Sequence, residues 1–141
     1  MARRDDLHFP VRRALEKDGW KITHDPLPLY LRGVFLKADL GGVRYLAATN
    51  GERKIAVEVK DFAGDSLTNE LEKMIGQMLL YQWALDEVEP ERKLWLAINR
   101  TVYDDYVLDE ASLFSGVIQR FNFNLLVVDR QQEAIWQWIS N

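Results

Sequence analysis

Asp39, Glu58 and Lys60 are the residues of this 141-residue chain whose types and spacing point most directly to a chemistry. In the run Lys54-Ile55-Ala56-Val57-Glu58-Val59-Lys60, side chains alternate across an extended strand. Glu58 and Lys60 therefore share one face with Lys54 and Ala56, and Ile55, Val57 and Val59 share the other. If Asp39 ends a neighbouring strand in Phe35 to Leu40, two carboxylates and a lysine converge. That is the minimum set for a magnesium-dependent phosphodiester hydrolase, with Asp39 and Glu58 holding the hard cation by oxygen and Lys60 orienting a water or stabilising charge on phosphate. The same pattern also fits a solvated strand face, on which an exposed Glu/Lys pair contributes almost nothing to stability.

Other residues extend the candidate site. Gln77 and Tyr81 stand one helical turn apart and so lie on one side of a helix, a side that Glu70 and Lys73 extend as a polar stripe. Gln77 can hold a water or a phosphate, and Tyr81 can stack or hydrogen-bond beside it. Both also fit the boundary of an ordinary amphipathic helix. Glu16 is a further carboxylate able to point toward the site or simply toward solvent. Arg3, Arg4, Arg12 and Arg13 form a basic cluster that can contact phosphate or be a solvated face. His8 and His24 are too isolated to make a metal pair.

These residues need elements to position them. Asp5 or Asp6 can cap a first helix with an apolar stripe of Phe9, Val11, Ala14 and Leu15, ended by Gly19. A short strand follows at Trp20 to Thr23, then a break at Pro26 and Pro28. Leu29–Leu31 and Val34–Leu40 read as a hairpin turned near Gly33, with Gly41-Gly42 as a second turn. Val43–Thr49 and Lys54–Phe62 are two more strands, joined at Asn50-Gly51. Ser66 to Glu87 is the clearest helix, capped by Ser66 and striped by Leu67, Leu71, Met74, Ile75, Met78, Leu79 and Leu85. Lys93–Ile98 is a nearly all-apolar strand, as expected where both sheet faces are covered. A helix at Asp109–Arg120, a strand at Leu125–Val128 and a strand or short helix at Ala134–Ile139 complete an α/β domain.

Composition bounds the rest. With 48% hydrophobic and 28% charged residues the chain fits one globular domain. Without cysteine it has no disulfide, thiolate metal site or cysteine nucleophile. The first residues lack the apolar stretch of a signal peptide and no window is long enough to span a bilayer, so a cytoplasmic protein is expected. The net charge of −4 argues against strong autonomous binding to nucleic acid, but residues 1–60 carry 12 Lys/Arg against 8 Asp/Glu and residues 61–141 carry 6 against 14. The candidate site lies in the basic half. Trp83, Trp95, Trp136 and Trp138 are expected in a core or interface, and Trp136 and Trp138, on one strand face if extended, would mark a subunit or partner contact.

Asp18-Gly19-Trp20-Lys21-Ile22-Thr23-His24-Asp25-Pro26, Ala38-Asp39-Leu40-Gly41, Gly51 to Lys60, and Gly76-Gln77-x-x-x-Tyr81 together resemble the XisH family, the fdxN element excision controlling factor proteins of cyanobacteria. The resemblance covers nearly the whole chain. It implies one domain over residues 1–141 with a restriction-endonuclease-like fold of the PD-(D/E)XK class, a mixed central β-sheet flanked by helices. In that class an acidic residue of one core strand and the Glu-x-Lys of the next bind Mg2+ and activate water, which map onto Asp39, Glu58 and Lys60. The Gln-x-x-x-Tyr of RecB-like nucleases maps onto Gln77 and Tyr81. The resemblance further implies DNA as substrate, an endodeoxyribonuclease site, a XisI-like companion, a separate recombinase, and programmed excision of a DNA element during heterocyst development. It fits equally a catalytically inactive module that regulates excision by binding DNA or the XisI-like partner. Two positions depart from the family pattern: Ala47-Ala48-Thr49-Asn50 lacks a glutamate that relatives carry, and Ala38 rather than proline precedes Asp39.

Overall fold

Two hydrophobic layers separated by one sheet account for most of the apolar residues in the computed structural model, which describes residues 7–49 and 51–141. The chain runs α1 (His8–Lys17), β1 (Lys21–His24), β2 (Leu27–Leu31), β3 (Val34–Ala38), β4 (Leu40–Leu46), β5 (Gly51–Val59), α2 (Leu67–Val88), β6 (Arg92–Asn99), α3 (Arg100–Val102), α4 (Leu113–Arg120), β7 (Leu125–Asp129) and β8 (Ala134–Ile139). A single-turn 3-10 helix, Ala47–Thr49, leads out of β4, and α3 runs on into a π-helical turn at Tyr103–Val107.

Six strands form the sheet in the order β1-β4-β5-β6-β7-β8. β4 and β5 are an antiparallel hairpin, β5, β6 and β7 run parallel, and the outer strands β1 and β8 are antiparallel to their neighbours. The result is a mixed sheet with helices on both faces. Strand alternation sorts the side chains. Ile55, Val57, Val59, Trp95, Ala97, Leu126 and Val128 meet Leu7, Val11, Ala14 and Leu15 of the α1 layer. On the other face Ala56, Leu94, Leu96, Ile98, Leu125 and Val127 meet α2 and α4. Among the described residues, no helix is long and apolar enough to cross a membrane.

β2 and β3 stand apart as a two-stranded ribbon. Leu27, Leu29, Leu31 and Ala38 join the α2 layer, so the ribbon packs by one face only. Its two-residue turn, Arg32-Gly33, has φ of 49° and 81°, the positive values that a type I′ hairpin turn needs at both positions.

Several sequence expectations change. Asp5 and Asp6, read as caps, and Asn50, read as half of a turn, lie outside the described residues. Phe9 faces solvent at 49% exposed, and it is His8 that is buried in α1. Pro28 does not break the chain: it sits within β2 on the outer face of the ribbon, where a strand tolerates a missing donor. Trp136 and Trp138 do not share a face. Opposite Val127 and Val128 of β7, which pair with Gln137 and Ile135, Trp136 is the extra residue of a bulge in β8. Trp138 then meets Trp20 and Trp95, while Trp136 lies beside Tyr103 and under Arg100.

Gly41 and Gly42 are not a turn but buried residues in the middle of β4, flanked by β1 and β5. Their role is close approach: a Cβ at Gly42 would stand 3.2 Å from the backbone oxygen of Lys21. Gly42→Ala is therefore expected to lower stability by about 1–3 kcal/mol, seen as a lower denaturation midpoint at unchanged slope. Gly76→Ala, on the open side of α2 with no heavy atom within 4 Å of the added carbon, should instead raise stability by about 1 kcal/mol.

Candidate active site

The β4–β5 register is what brings the acidic residues together. Leu40 pairs with Val57, which carries Asp39 alongside Glu58 at the point where the ribbon strand β3 passes into β4. The backbone fixes Asp39 there: its Oδ2 accepts the Val59 N–H at 2.8 Å. Beyond β5 the Lys60 N–H donates to Ala97 O at 3.1 Å, so the lysine is held by the same ladder as the glutamate. Lys60 Nζ lies 3.6 Å from Glu58 Oε2. The structure thus brings Asp39, Glu58 and Lys60 to one end of β5.

Gln77 and Tyr81 reach the same place from α2. They do not lie on a solvent-facing stripe as the sequence suggested; Tyr81 belongs to the buried row Leu71, Met74, Met78, Tyr81, Leu85, while Lys73 is exposed. The spacing of three and four along that row selects Tyr81 over Leu79, which faces water. Ser66 caps the helix through its Oγ, which accepts the Asn69 N–H at 3.2 Å.

The electrostatics of this cluster are unusual. Glu58 is 4% exposed, and its Oε1 has no hydrogen-bond partner among the described residues; nor has Gln77 Oε1. Burial, and then the neighbouring Asp39 charge, raise the Glu58 carboxyl from its ordinary 4.5 to about 8, with Lys60 pulling the other way. Burial, followed by the charges of Glu58 and Asp39, also raises the Tyr81 phenol, against a hydrogen bond with Gln77. Asp39 and Glu58 both act on Tyr81, and Lys60 acts on Glu58, which places these four side chains in one electrostatic unit.

Other candidates go elsewhere. Glu16 is on the exposed side of α1, 3.8 Å from Arg12 and on the opposite face of the sheet from Glu58. Arg12 donates to Asp25 at 2.7 Å and Arg13 pairs with Glu133, so these cations are already engaged; Arg3 and Arg4 lie outside the described residues. His8 is buried against Asp25 at 2.9 Å, and His24 ends β1. A cavity of about 830 Å³ opens at the other end of β5 and on the other sheet face, between Trp20, Trp95, Trp138 and Arg53. It shares no residue with the carboxylate cluster.

Sequence reasoning passed over two features. Glu70 accepts the Gly64 N–H at 3.2 Å and so ties the loop after Lys60 to the first turn of α2, a link no local pattern signals. The ribbon's outward Tyr30 and Phe35 are the other. Their signal is an absence of carboxylates between Asp25 and Asp39.

The family model described as XisH protein matches residues 1–136. The chain belongs to the XisH family. A crystal structure of a fdxN element excision controlling factor protein from Anabaena variabilis is similar to this XisH chain at a TM-score of 0.85 and 39% identity, covering 97% of it and 100% of the other. That of a XisH family protein from Nostoc punctiforme is similar at a TM-score of 0.84 and 38% identity, covering 96% and 100%. Among curated proteins none matches.

Proposed function

We propose that this XisH chain is a DNA-acting protein with a Mg2+-dependent phosphodiester hydrolase site made by Asp39, Glu58 and Lys60 and assisted by Gln77, on a restriction-endonuclease-like fold of the PD-(D/E)XK class. The observation that carries the reading is Glu58: a buried carboxylate beside a second carboxylate, with one oxygen unpartnered. Such an arrangement is costly unless a cation, or a proton shared with Asp39, completes it.

The residues fit that cation. Two carboxylates are enough for Mg2+, which keeps several waters and rarely takes an all-protein cage. Among the described residues no group of three or more His, Cys, Asp or Glu offers a denser metal site. Asp39 and Glu58 would hold the ion, and Gln77, hydrogen-bonded to Tyr81, keeps a buried Oε1 with no partner among the described residues. When bound, Mg2+ supplies charge stabilisation for the phosphoryl group in the transition state.

The chain's own groups do the remainder. Lys60, held next to Glu58, positions the attacking water and offers positive charge to the phosphate. Tyr81, kept neutral by its surroundings, anchors Gln77. The Val59 N–H fixes Asp39, so the site is preorganised by backbone rather than by flexible side chains. The Anabaena variabilis relative is named for control of fdxN element excision, which supports placing this chain in the same programmed DNA excision.

The direct test is incubation of the protein with supercoiled plasmid and Mg2+. Nicking or linearisation that disappears with EDTA and in Glu58→Gln supports the reading; equal cleavage by Glu58→Gln and Lys60→Ala sinks it. A second reading, a catalytically inactive regulator that binds a XisI-like partner, is favoured by the exposed Leu79, Leu80 and Trp83 along the outer side of α2. Co-purification with a XisI-like protein, lost in Leu80→Asp, together with no cleavage under any metal, would select it.

A further inference from the structure

The β2–β3 ribbon buries one face on α2 and turns the other to solvent. Pro28, Tyr30, Phe35 and Lys37 are its outward residues, and the register sets Tyr30 directly across from Phe35 and Pro28 across from Lys37. Tyr30 is 60% exposed and Phe35 57%, with ring centroids 5.3 Å apart at 81°. Two aromatic rings held side by side in water add little to the core, because their inward neighbours Leu29 and Leu31 already supply it.

Charge says what the face is for. From Pro26 to Ala38 the only charged residues are Arg32, at the turn, and Lys37; carboxylates are absent from this stretch of a chain whose net charge is −4. Arg32 and Lys37 are both exposed, and among the described residues neither is engaged in an ion pair. The ribbon therefore presents aromatic rings between two free cations, complementary to a polyanion that carries flat rings. It also leads straight into the site. Lys37 precedes Asp39 by two residues, roughly 7 Å of strand.

We propose that the outer face of the ribbon is the track on which an unpaired stretch of DNA strand lies as it enters the carboxylate site, Tyr30 and Phe35 stacking on bases and Arg32 and Lys37 meeting phosphates. The proposal rests on reading that site as one that acts on DNA. An unpaired strand is favoured over a duplex because only unpaired bases offer their faces to aromatic side chains, whereas a duplex would engage the two cations alone.

The test is binding of a labelled 20-mer of thymidylate to the full chain, followed by fluorescence anisotropy in EDTA, where hydrolysis does not intervene. A hairpin duplex serves as comparison. The single strand should bind more tightly than the duplex. Tyr30→Ala/Phe35→Ala should weaken strand binding by roughly tenfold or more. Arg32→Gln/Lys37→Gln should weaken it and flatten the salt dependence by roughly 0.7 in log–log slope per cation removed. All four positions are exposed, so melting temperatures near that of the unsubstituted chain will show that the variants fold.

Undiminished strand binding by both double variants, a preference for duplex, or no strand binding by the unsubstituted chain overturns the proposal. So does an aromatic variant that changes only the oligomeric state, which would make the face a contact between copies. The two readings separate cleanly. Loss of strand binding in ribbon variants of a chain that never cleaves leaves the ribbon standing and removes the hydrolase. Normal binding and cleavage by ribbon variants, with cleavage lost in Lys60→Ala, does the reverse.

Discussion

Lys60→Ala is expected to lower Mg2+-dependent DNA cleavage by about 10²–10³-fold, the usual cost of removing one preorganised charged group from the transition state. Lys60 is not buried deeply enough for its loss to unfold the protein: its backbone N–H keeps the bond to Ala97 O, and its side chain is 18% exposed. Activity and stability should therefore separate, with the melting temperature little changed. Glu58→Gln should abolish cleavage as fully, since it removes the charge that Mg2+ requires. Gln77→Ala, which acts on the site from α2, should cost about 10–100-fold, the range found for groups that support metal ligands. The ordering is readable in one plasmid-nicking series. Cleavage at full rate by Lys60→Ala would place the chemistry elsewhere.

The second expected result is a stability that falls as pH rises. In the folded chain without metal, the Glu58 carboxyl holds its proton up to about 8, against 4.5 for the same group in water. Below about 4.5 the carboxyl is neutral in both folded and unfolded chains, and its contribution to stability is complete. As pH climbs from there toward 8, the unfolded chain gains by ionising while the folded chain does not, so that contribution drains away by a few kcal/mol and then levels off. Thermal melts at pH 5, 6.5 and 8 in EDTA will show the Glu58 part of the trend by difference from Glu58→Gln, which lacks it and should be the more stable protein at pH 8. Mg2+ must displace the same proton, so its apparent affinity should rise up to about tenfold per pH unit below 8. A Glu58→Gln variant whose melts track the unsubstituted chain in pH and Mg2+ alike would remove Glu58 from the site.

Much of this was readable in the residues, for reasons that differ by element. The β5 face assignment followed from strict alternation over Lys54–Lys60, and the α2 boundaries from a long helical period with a serine cap. The place of the β2–β3 turn was legible in Gly33, whereas its type, with Arg32 also at a positive φ, was not. What was not legible depends on contacts distant in the chain. The Gly41-Gly42 pair has the composition of a turn, and only its pairing with β1 on one side and β5 on the other makes it a strand. Whether Tyr81 faced water or core was decided by α2 lying on the sheet, not by its own polarity. The separation of Trp136 from Trp138 needed a bulge that no local pattern announces. The arrival of Asp39 beside Glu58 depends on the β4–β5 register and on one hydrogen bond from the Val59 N–H, neither of which a local pattern encodes.

Asp39 is also the one-residue linker between the ribbon and the six-stranded sheet on the β3–β4 side, as Asp25-Pro26 is the linker on the β1–β2 side. Its carboxylate, fixed by the Val59 N–H, therefore sits where the ribbon meets the sheet. Anything that draws the ribbon away from α2 pulls on the Val59 contact, and anything that clamps Asp39 stiffens the ribbon. Any coupling between a divalent ion at the carboxylates and a strand on the ribbon would be reciprocal, each changing the other's affinity by the same factor.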